Sequence, residues 1–336
     1  MIIIIKKEIR EMLKKYYAFL PLLMMVFALA ACNSEPTEDN QNTQSSEETA
    51  ATTKTVKGLF GDVTIPTNPK NMLVFNSNYA EFLLSIDIVP QKVLVVDEIE
   101  PDYRPKLFKE NNVEMINTPQ YEENLEQILS LAPDLIVVQG NVIDAKKYEE
   151  LSKIAPTLAV DANGSIEEAL PALGKVFEKE KEAEATLTTY NNKVTEAKEK
   201  LQQAIGDKTV MVLRVEPKQY RFMGAKAEGP GSGLIYRQLG LKIPEQLADS
   251  EDWFTPLSLE ILPEIKPDYI FVEKRVLENY SSDESMKSLE DSPLWQSMEA
   301  VQNDRVFPLD TKDYAVGLGP IGTELLIDYI VEKLVP

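Results

Sequence analysis

One stretch of this chain occurs twice, and the recurrence limits the folds open to it. The first copy is Leu125-Glu-Gln-Ile-Leu-Ser-Leu-Ala-Pro-Asp-Leu-Ile-Val-Val138, and the second, 134 residues on, is Leu259-Glu-Ile-Leu-Pro-Glu-Ile-Lys-Pro-Asp-Tyr-Ile-Phe-Val272. Both carry Glu at the second place, Pro-Asp seven and eight residues later, and four apolar or β-prone residues at the end, with no gap between the copies. Each reads as a short helix opened by a polar cap (Asn124, Ser258), a turn at Pro-Asp and a buried strand, which is half of an α/β unit. Two copies this far apart predict two lobes of related build, not a solenoid or propeller.

The length of 336 residues leaves room for two domains with a core each. A net charge of −20 argues against nucleic acid, whose phosphates are bound mainly by Lys and Arg, and disfavours an acidic membrane surface. The chain has no histidine, which excludes Ser-His-Asp and Cys-His catalysis and His-ligated zinc or haem. A single cysteine, Cys32, can form no internal disulfide.

Lys6, Lys7, Arg10, Lys14 and Lys15 precede an apolar run from Tyr16 to Ala31 that is short of a membrane span but suits a signal peptide. It ends in Leu29-Ala-Ala-Cys32, which resembles the bacterial lipobox, where the cysteine takes a diacylglycerol. Residues 1–31 are expected to be removed, which would leave the chain near −23, and translation could begin at Met1 or Met12. Residues 32–54 are rich in Ser, Thr, Glu, Asn and Gln and read as a disordered tether.

The folded part is expected to be α/β, with two lobes, each a mainly parallel sheet with flanking helices, joined by one long rigid helix. The boundaries are 55–165 for the N-terminal lobe, 166–205 for the connecting helix and 206–336 for the C-terminal lobe. Thr55–Pro66 reads as a hairpin, and Asn71–Phe75, Val93–Asp97 and Leu135–Val138 as strands. The helix over 166–205 rests on Glu/Lys pairs three or four apart and on an apolar stripe through Phe177, Leu187, Tyr190 and Leu201. Thr209–Val215 and Gln219–Gly224 form a second hairpin, a glycine loop at Gly229–Gly233 leads into a helix through Leu241, and Arg305–Leu309 is the last strand. Ligands collect at the carboxyl ends of parallel strands, which picks out Asn76, Asn78 and Tyr79 after one strand, Tyr121 before the repeat, and Gln139-Gly-Asn141 after another.

Two glycine motifs fail on context. Gly317-Leu-Gly-Pro-Ile-Gly322 has the GxGxxG spelling, but too few residues follow it for a dinucleotide fold. The 229–233 loop lacks the Lys of a P-loop. Both read as tight turns that let backbone approach a ligand or a helix start.

Together the lipobox, the acidic tether, the hairpin ending in Pro66-Thr-Asn-Pro69, the paired Leu-Glu…Pro-Asp units, the long helix and the terminal Gly319-Pro-Ile-Gly322 resemble the substrate-binding lipoproteins of bacterial iron–siderophore ABC importers. The resemblance covers the chain from about Thr55 to its end. It implies a monomer, lipid-anchored to the outer face of the cytoplasmic membrane, that clasps a ferric siderophore between its lobes and hands it to a permease. No catalysis, no resident cofactor and no direct bond from protein to metal are implied. It also implies that Glu126 and Glu260, one per lobe, dock onto permease arginines; an acid favoured at a helix start would explain one such Glu well, but two at equivalent places less well. Ligand contacts carried by the resemblance are Arg214, Tyr220, Arg221, Trp253 and Tyr314. Arg214 could instead partner a buried acid, and Trp253 with Phe254 could be core. With few bases at the first lobe's strand ends, a hydroxamate is favoured over a trianionic catecholate. The same family pattern allows cobalamin or haem, and a surface hydrolase or an adhesion lipoprotein stands further off.

Overall fold

The computed structural model describes residues 52–119, 124–162, 164–275, 281–313 and 317–336. The expected signal peptide, Cys32, nearly all of the tether, Tyr121 and Tyr314 lie outside the described residues. Strand β1 (Thr53–Gly58) already begins within the stretch read as tether and pairs antiparallel with β2 (Gly61–Pro66), forming the expected hairpin.

The N-terminal lobe is a five-stranded parallel sheet in the order β5-β4-β3-β6-β7. Its strands are β3 (Met72–Val74), β4 (Lys92–Val95), β5 (Glu114–Asn117), β6 (Leu135–Gln139) and β7 (Thr157–Val160). Helices α1 (Ser77–Ser85), α2 (Arg104–Glu110), α3 (Leu125–Ser130) and α4 (Ala145–Ser152) connect them. The C-terminal lobe is a mixed sheet in the order β10-β9-β8-β11-β12. Here β8 (Val210–Glu216), β11 (Tyr269–Lys274) and β12 (Val306–Leu309) run parallel, while β9 (Gln219–Met223) pairs antiparallel with β8 and β10 (Phe254–Leu257) antiparallel with β9.

The connecting helix is in two pieces: α5 (Ile166–Phe177) and the 26-residue α6 (Glu180–Ile205). Glu178 breaks it by entering the left-handed region at φ 56, and the Lys179 amide closes α5 by donating to the Gly174 carbonyl at 2.7 Å. No Gly or Pro stands at the break, so the residue types alone favoured one continuous helix. The last helix, α8, spans Pro320–Leu334 and packs on α6 and α1; α7 (Asp283–Glu290) flanks the second sheet. Among the described residues no helix is long and apolar enough to cross a membrane.

The repeat explains how each sheet is assembled. In both copies the residue before Pro-Asp is left-handed, Ala132 at φ 46 and Lys266 at φ 48, which turns the chain from helix to strand. The Asp carboxylate then caps the start of the neighbouring central strand. Asp134 accepts from the Lys70 and Asn71 amides, the latter at 3.0 Å, just before β3. Asp268 accepts from the Thr209 amide at 2.8 Å and the Thr209 hydroxyl at 3.0 Å, just before β8. Parallel strands so clamped cannot slip in register without stranding donors.

Alternation on the strands sorts their side chains between two faces. Val210 and Val212 join one apolar cluster, while Met211, Leu213 and Val215 join another. The first cluster is continuous through both lobes: it holds Met72, Val74 and Val93 of the first sheet, the inner faces of α5, α6 and α8, and Phe271 and Leu309 of the second.

Removing one clamp strands donors at a half-buried strand end. Asp134→Ala and Asp268→Ala are each expected to lower stability by about 1–3 kcal/mol, read as a shifted midpoint in urea denaturation.

Candidate functional site

In each lobe the chain builds the sheet outward from a central strand in one direction and then returns to build the other side. The reversals fall between β3 and β6 in the first sheet and between β8 and β11 in the second. Ligands of open α/β sheets bind beyond the carboxyl ends of the strands at such points, so these two crevices mark the candidate site.

The first crevice is lined by uncharged polar groups. Asn76 caps α1 by accepting from the Asn78 amide at 2.8 Å, and its own amide group donates to Gln139 Oε1 at 3.5 Å. Gln139 Nε2 in turn donates to Asn141 Oδ1 at 2.6 Å. Of the expected contacts here, Asn141 is exposed on the rim, and Asn78 accepts from Arg104 Nη2. Tyr79 is fully buried, edge-on to Phe82, and belongs to the core; burial raises its pKa well above the usual phenol value. Acids follow two of the strands: Asp97 and Glu98 after β4, and Asp161 after β7.

The second crevice holds a row of charges set by strand register. Arg221 of β9 lies opposite Arg214 of β8, which lies opposite Glu273 of β11. Two arginines face to face repel, and acids make the row tenable. Arg214 Nε donates to Glu273 Oε2 at 2.6 Å, while Glu273 Oε1 accepts from Arg275 Nη1 at 3.2 Å and from the Thr311 hydroxyl at 2.9 Å. Glu216 stands 3.9 Å from both Arg214 and Arg221. Arg214 is thus the partner of a buried acid, stacked at 3.4 Å over the Phe254 ring and 5.0 Å from that of Trp253. Its Nη2 and the Arg221 Nε are buried donors that find no acceptor among the described residues.

The expected aromatic pair divides: Phe254 is core at the start of β10, whereas Trp253 is 43% exposed. Tyr220 leans away, its hydroxyl donating to the Ser285 carbonyl of α7 at 3.0 Å. Glu126 and Glu260 are both exposed in the first turn after their caps, each near an exposed apolar side chain, Leu129 at 61% and Ile261 at 42%.

Residue patterns did not reveal a buried group joined to the first crevice. Arg104, fully buried, donates from Nε to Glu81 Oε2 at 3.0 Å and from Nη1 to the Ser77 hydroxyl at 2.7 Å and to Glu100 Oε2 at 3.3 Å. The available signal was Glu81 itself, an acid set among apolar residues in Tyr79-Ala-Glu-Phe-Leu-Leu84. Also missed was the hairpin tip, where Phe60 stacks on Tyr148 with ring centroids 4.6 Å apart.

Residues 75–312 match the periplasmic binding protein family, and the chain belongs to that family. Among its relatives, the iron(3+)-hydroxamate-binding protein FhuD of Bacillus subtilis (strain 168) is 33% identical, with 96% of this chain and 98% of the relative aligned. The iron(3+)-hydroxamate-binding protein YxeB of the same organism is 27% identical over 94% of each chain. Among solved structures, Staphylococcus aureus SirA complexed with staphyloferrin B aligns with a TM-score of 0.69 at 26% identity, covering 84% of this chain and 98% of that one. The family is one of substrate-binding proteins with the expected two-lobed fold.

Glu100 gives the site a pH signature. Burial, opposed by Arg104, raises its pKa above the ordinary carboxyl value. Its contribution to stability is therefore complete below the unfolded pKa and lost as pH rises through the folded one. Glu100→Gln should remove this loss: its stability relative to the natural chain is expected to rise between pH 4 and pH 7, as measured by urea denaturation at each pH.

Proposed function

We propose that this chain captures a ferric siderophore of the hydroxamate type between its two lobes outside the cell and delivers it to the permease of an ABC importer. The observation that carries the reading is the end-to-end likeness to an iron(3+)-hydroxamate-binding protein. The electrostatics of the crevices agree. A ferric tris-catecholate bears three negative charges, which the neutral amides of Asn76, Gln139 and Asn141 do not offset and Asp97, Glu98 and Asp161 oppose. A ferric trihydroxamate is near neutral, and its carbonyl and hydroxamate oxygens suit the unpaired donors of Arg214 and Arg221. Trp253 supplies an exposed ring beside them, with Tyr121, Tyr314 and Asn141 as further contacts. Iron arrives fully chelated, so the ligand needs shape and hydrogen bonds from the protein and no donor to the metal.

The lobes meet the membrane partner through Glu126 and Glu260, which stand at equivalent places in the duplicated frame. Cys32 carries the lipid that keeps the protein at the outer face of the cytoplasmic membrane, where it acts as a monomer. The large negative charge, −20 over the full sequence and near −23 once residues 1–31 are removed, also favours encounter with a basic permease face.

Titration with ferrichrome should quench tryptophan fluorescence saturably, whereas ferric enterobactin, cobalamin and haem should not. Because the other tryptophan, Trp295, is buried in the second lobe, Trp253→Phe is expected to abolish most of the quench. Absence of saturable quenching by ferrichrome in the natural chain would overturn the ligand assignment.

Docking makes a separate demand. The Glu126→Ala, Glu260→Ala double variant is expected to lose siderophore uptake by cells while its ferrichrome affinity stays within twofold. A parallel loss of affinity would mean that these glutamates shape the lobes instead.

A further inference from the structure

The motif Gly317-Leu-Gly-Pro-Ile-Gly322, which the nucleotide-binding reading could not absorb, has an occupant within the protein. The Glu81 carboxylate of α1 enters the N-terminus of α8. Its Oε1 accepts from the Ile321 amide at 2.5 Å and the Gly322 amide at 3.1 Å, while its Oε2 accepts from the Tyr103 hydroxyl at 2.7 Å and from Arg104 Nε. A carboxylate at this end of a fifteen-residue helix meets unsatisfied amides and the positive end of the helix dipole. The two glycines are the space it needs. A Cβ on Gly319 would lie 2.5 Å from the Glu81 carboxyl carbon, and one on Gly322 would lie 2.4 Å from the Tyr103 hydroxyl.

The segment between β12 and α8 is therefore held at both ends by different lobes. At its start, the Thr311 hydroxyl donates to Glu273, the acid paired with Arg214 in the second crevice. At its end, Ile321 and Gly322 are held by Glu81, one turn into the helix that opens at the first crevice. Between them Lys312 reaches Asp102 of the first lobe at 3.4 Å, an exposed pair that adds little. Beyond it, α8 is seated on the second sheet, with the Tyr329 hydroxyl donating to the Pro308 carbonyl and its ring 6.2 Å from that of Phe271.

We propose that Glu81 is a positioning residue for ligand capture: it latches α1 of the first lobe to the start of α8 and so fixes the angle at which the two crevices face each other. The proposal rests on the reading of the interlobe cleft as the ligand site. All four groups bound to Glu81 are donors. A glutamine in its place must turn its NH2 either toward the two α8 amides or toward Tyr103 and Arg104, so Glu81→Gln keeps the shape and breaks the latch.

The test uses the full chain with Lys146→Cys on α4 and Lys287→Cys on α7, both exposed, as spin-label sites, and Cys32→Ser so that only these two react. Without ligand, Glu81→Gln is expected to broaden the interlobe distance distribution and to speed hydrogen exchange at the Ile321 and Gly322 amides at least tenfold. Its ferrichrome affinity should fall at least tenfold. An unchanged distance distribution overturns the latch, and a broadened distribution with affinity held within twofold overturns the positioning role. If the natural chain does not bind ferrichrome, the ligand reading fails and the distance measurement alone decides the latch. Should Glu81→Gln not fold, Gly319→Ala presses the same contact apart from the other side and carries the same expectations.

Discussion

The structure depends on one apolar core that does not stop at the boundary between its lobes. The face of the first sheet under α1 and α5, the buried stripe of α6, the inner side of α8 and one face of the second sheet form a single cluster. Two lobes sharing that much buried hydrocarbon cannot swing apart as independent domains do, because opening would return it to water at about 25 cal/mol per Å². The outer faces of the sheets, under α3 and α4 in one lobe and under α7 in the other, form separate clusters. Each lobe therefore has a private core on its outer side and a common one on its inner side.

Polar groups are spent where the apolar core cannot specify geometry. Within each sheet the clamps at Asp134 and Asp268 set where the central strand begins. Across the second crevice the row Arg221, Arg214, Glu273 is imposed by register, with Glu273 answering Arg214 and Glu216 standing 3.9 Å from both arginines. Buried charges of this kind contribute little net stability and exact a large loss when one partner is removed. Their value here is alignment, since the Arg214–Glu273 bond fixes how the guanidinium lies across the crevice.

What could be read from residue order follows from how local each feature is. The duplicated Leu-Glu…Pro-Asp frame, the hairpins and the closing helix are set by neighbours in sequence, and the structure contains them. Strands β5 and β7 are four residues each, and β5, Glu114-Met-Ile-Asn117, is an edge strand with polar ends and no apolar run to mark it. Glu178 breaks the connecting helix without any breaker residue. Tyr79 resembled a site residue because a tyrosine after a strand end has a polar tip, yet its helix turns it into the core. Glu81, Glu100 and Arg104 were invisible as a group because their meeting joins α1, the turn after β4, and α2, and its last partners are 240 residues along the chain.

The left-handed residues Ala132 and Lys266 have a consequence beyond turning the chain. Each joins a surface glutamate to a clamped strand through less than two helical turns and a proline, with no slack to absorb movement. The two glutamates are thus tips of a caliper whose jaws are the lobes. On the docking reading proposed above, a surface that grips both tips at once receives the angle between the lobes as a length.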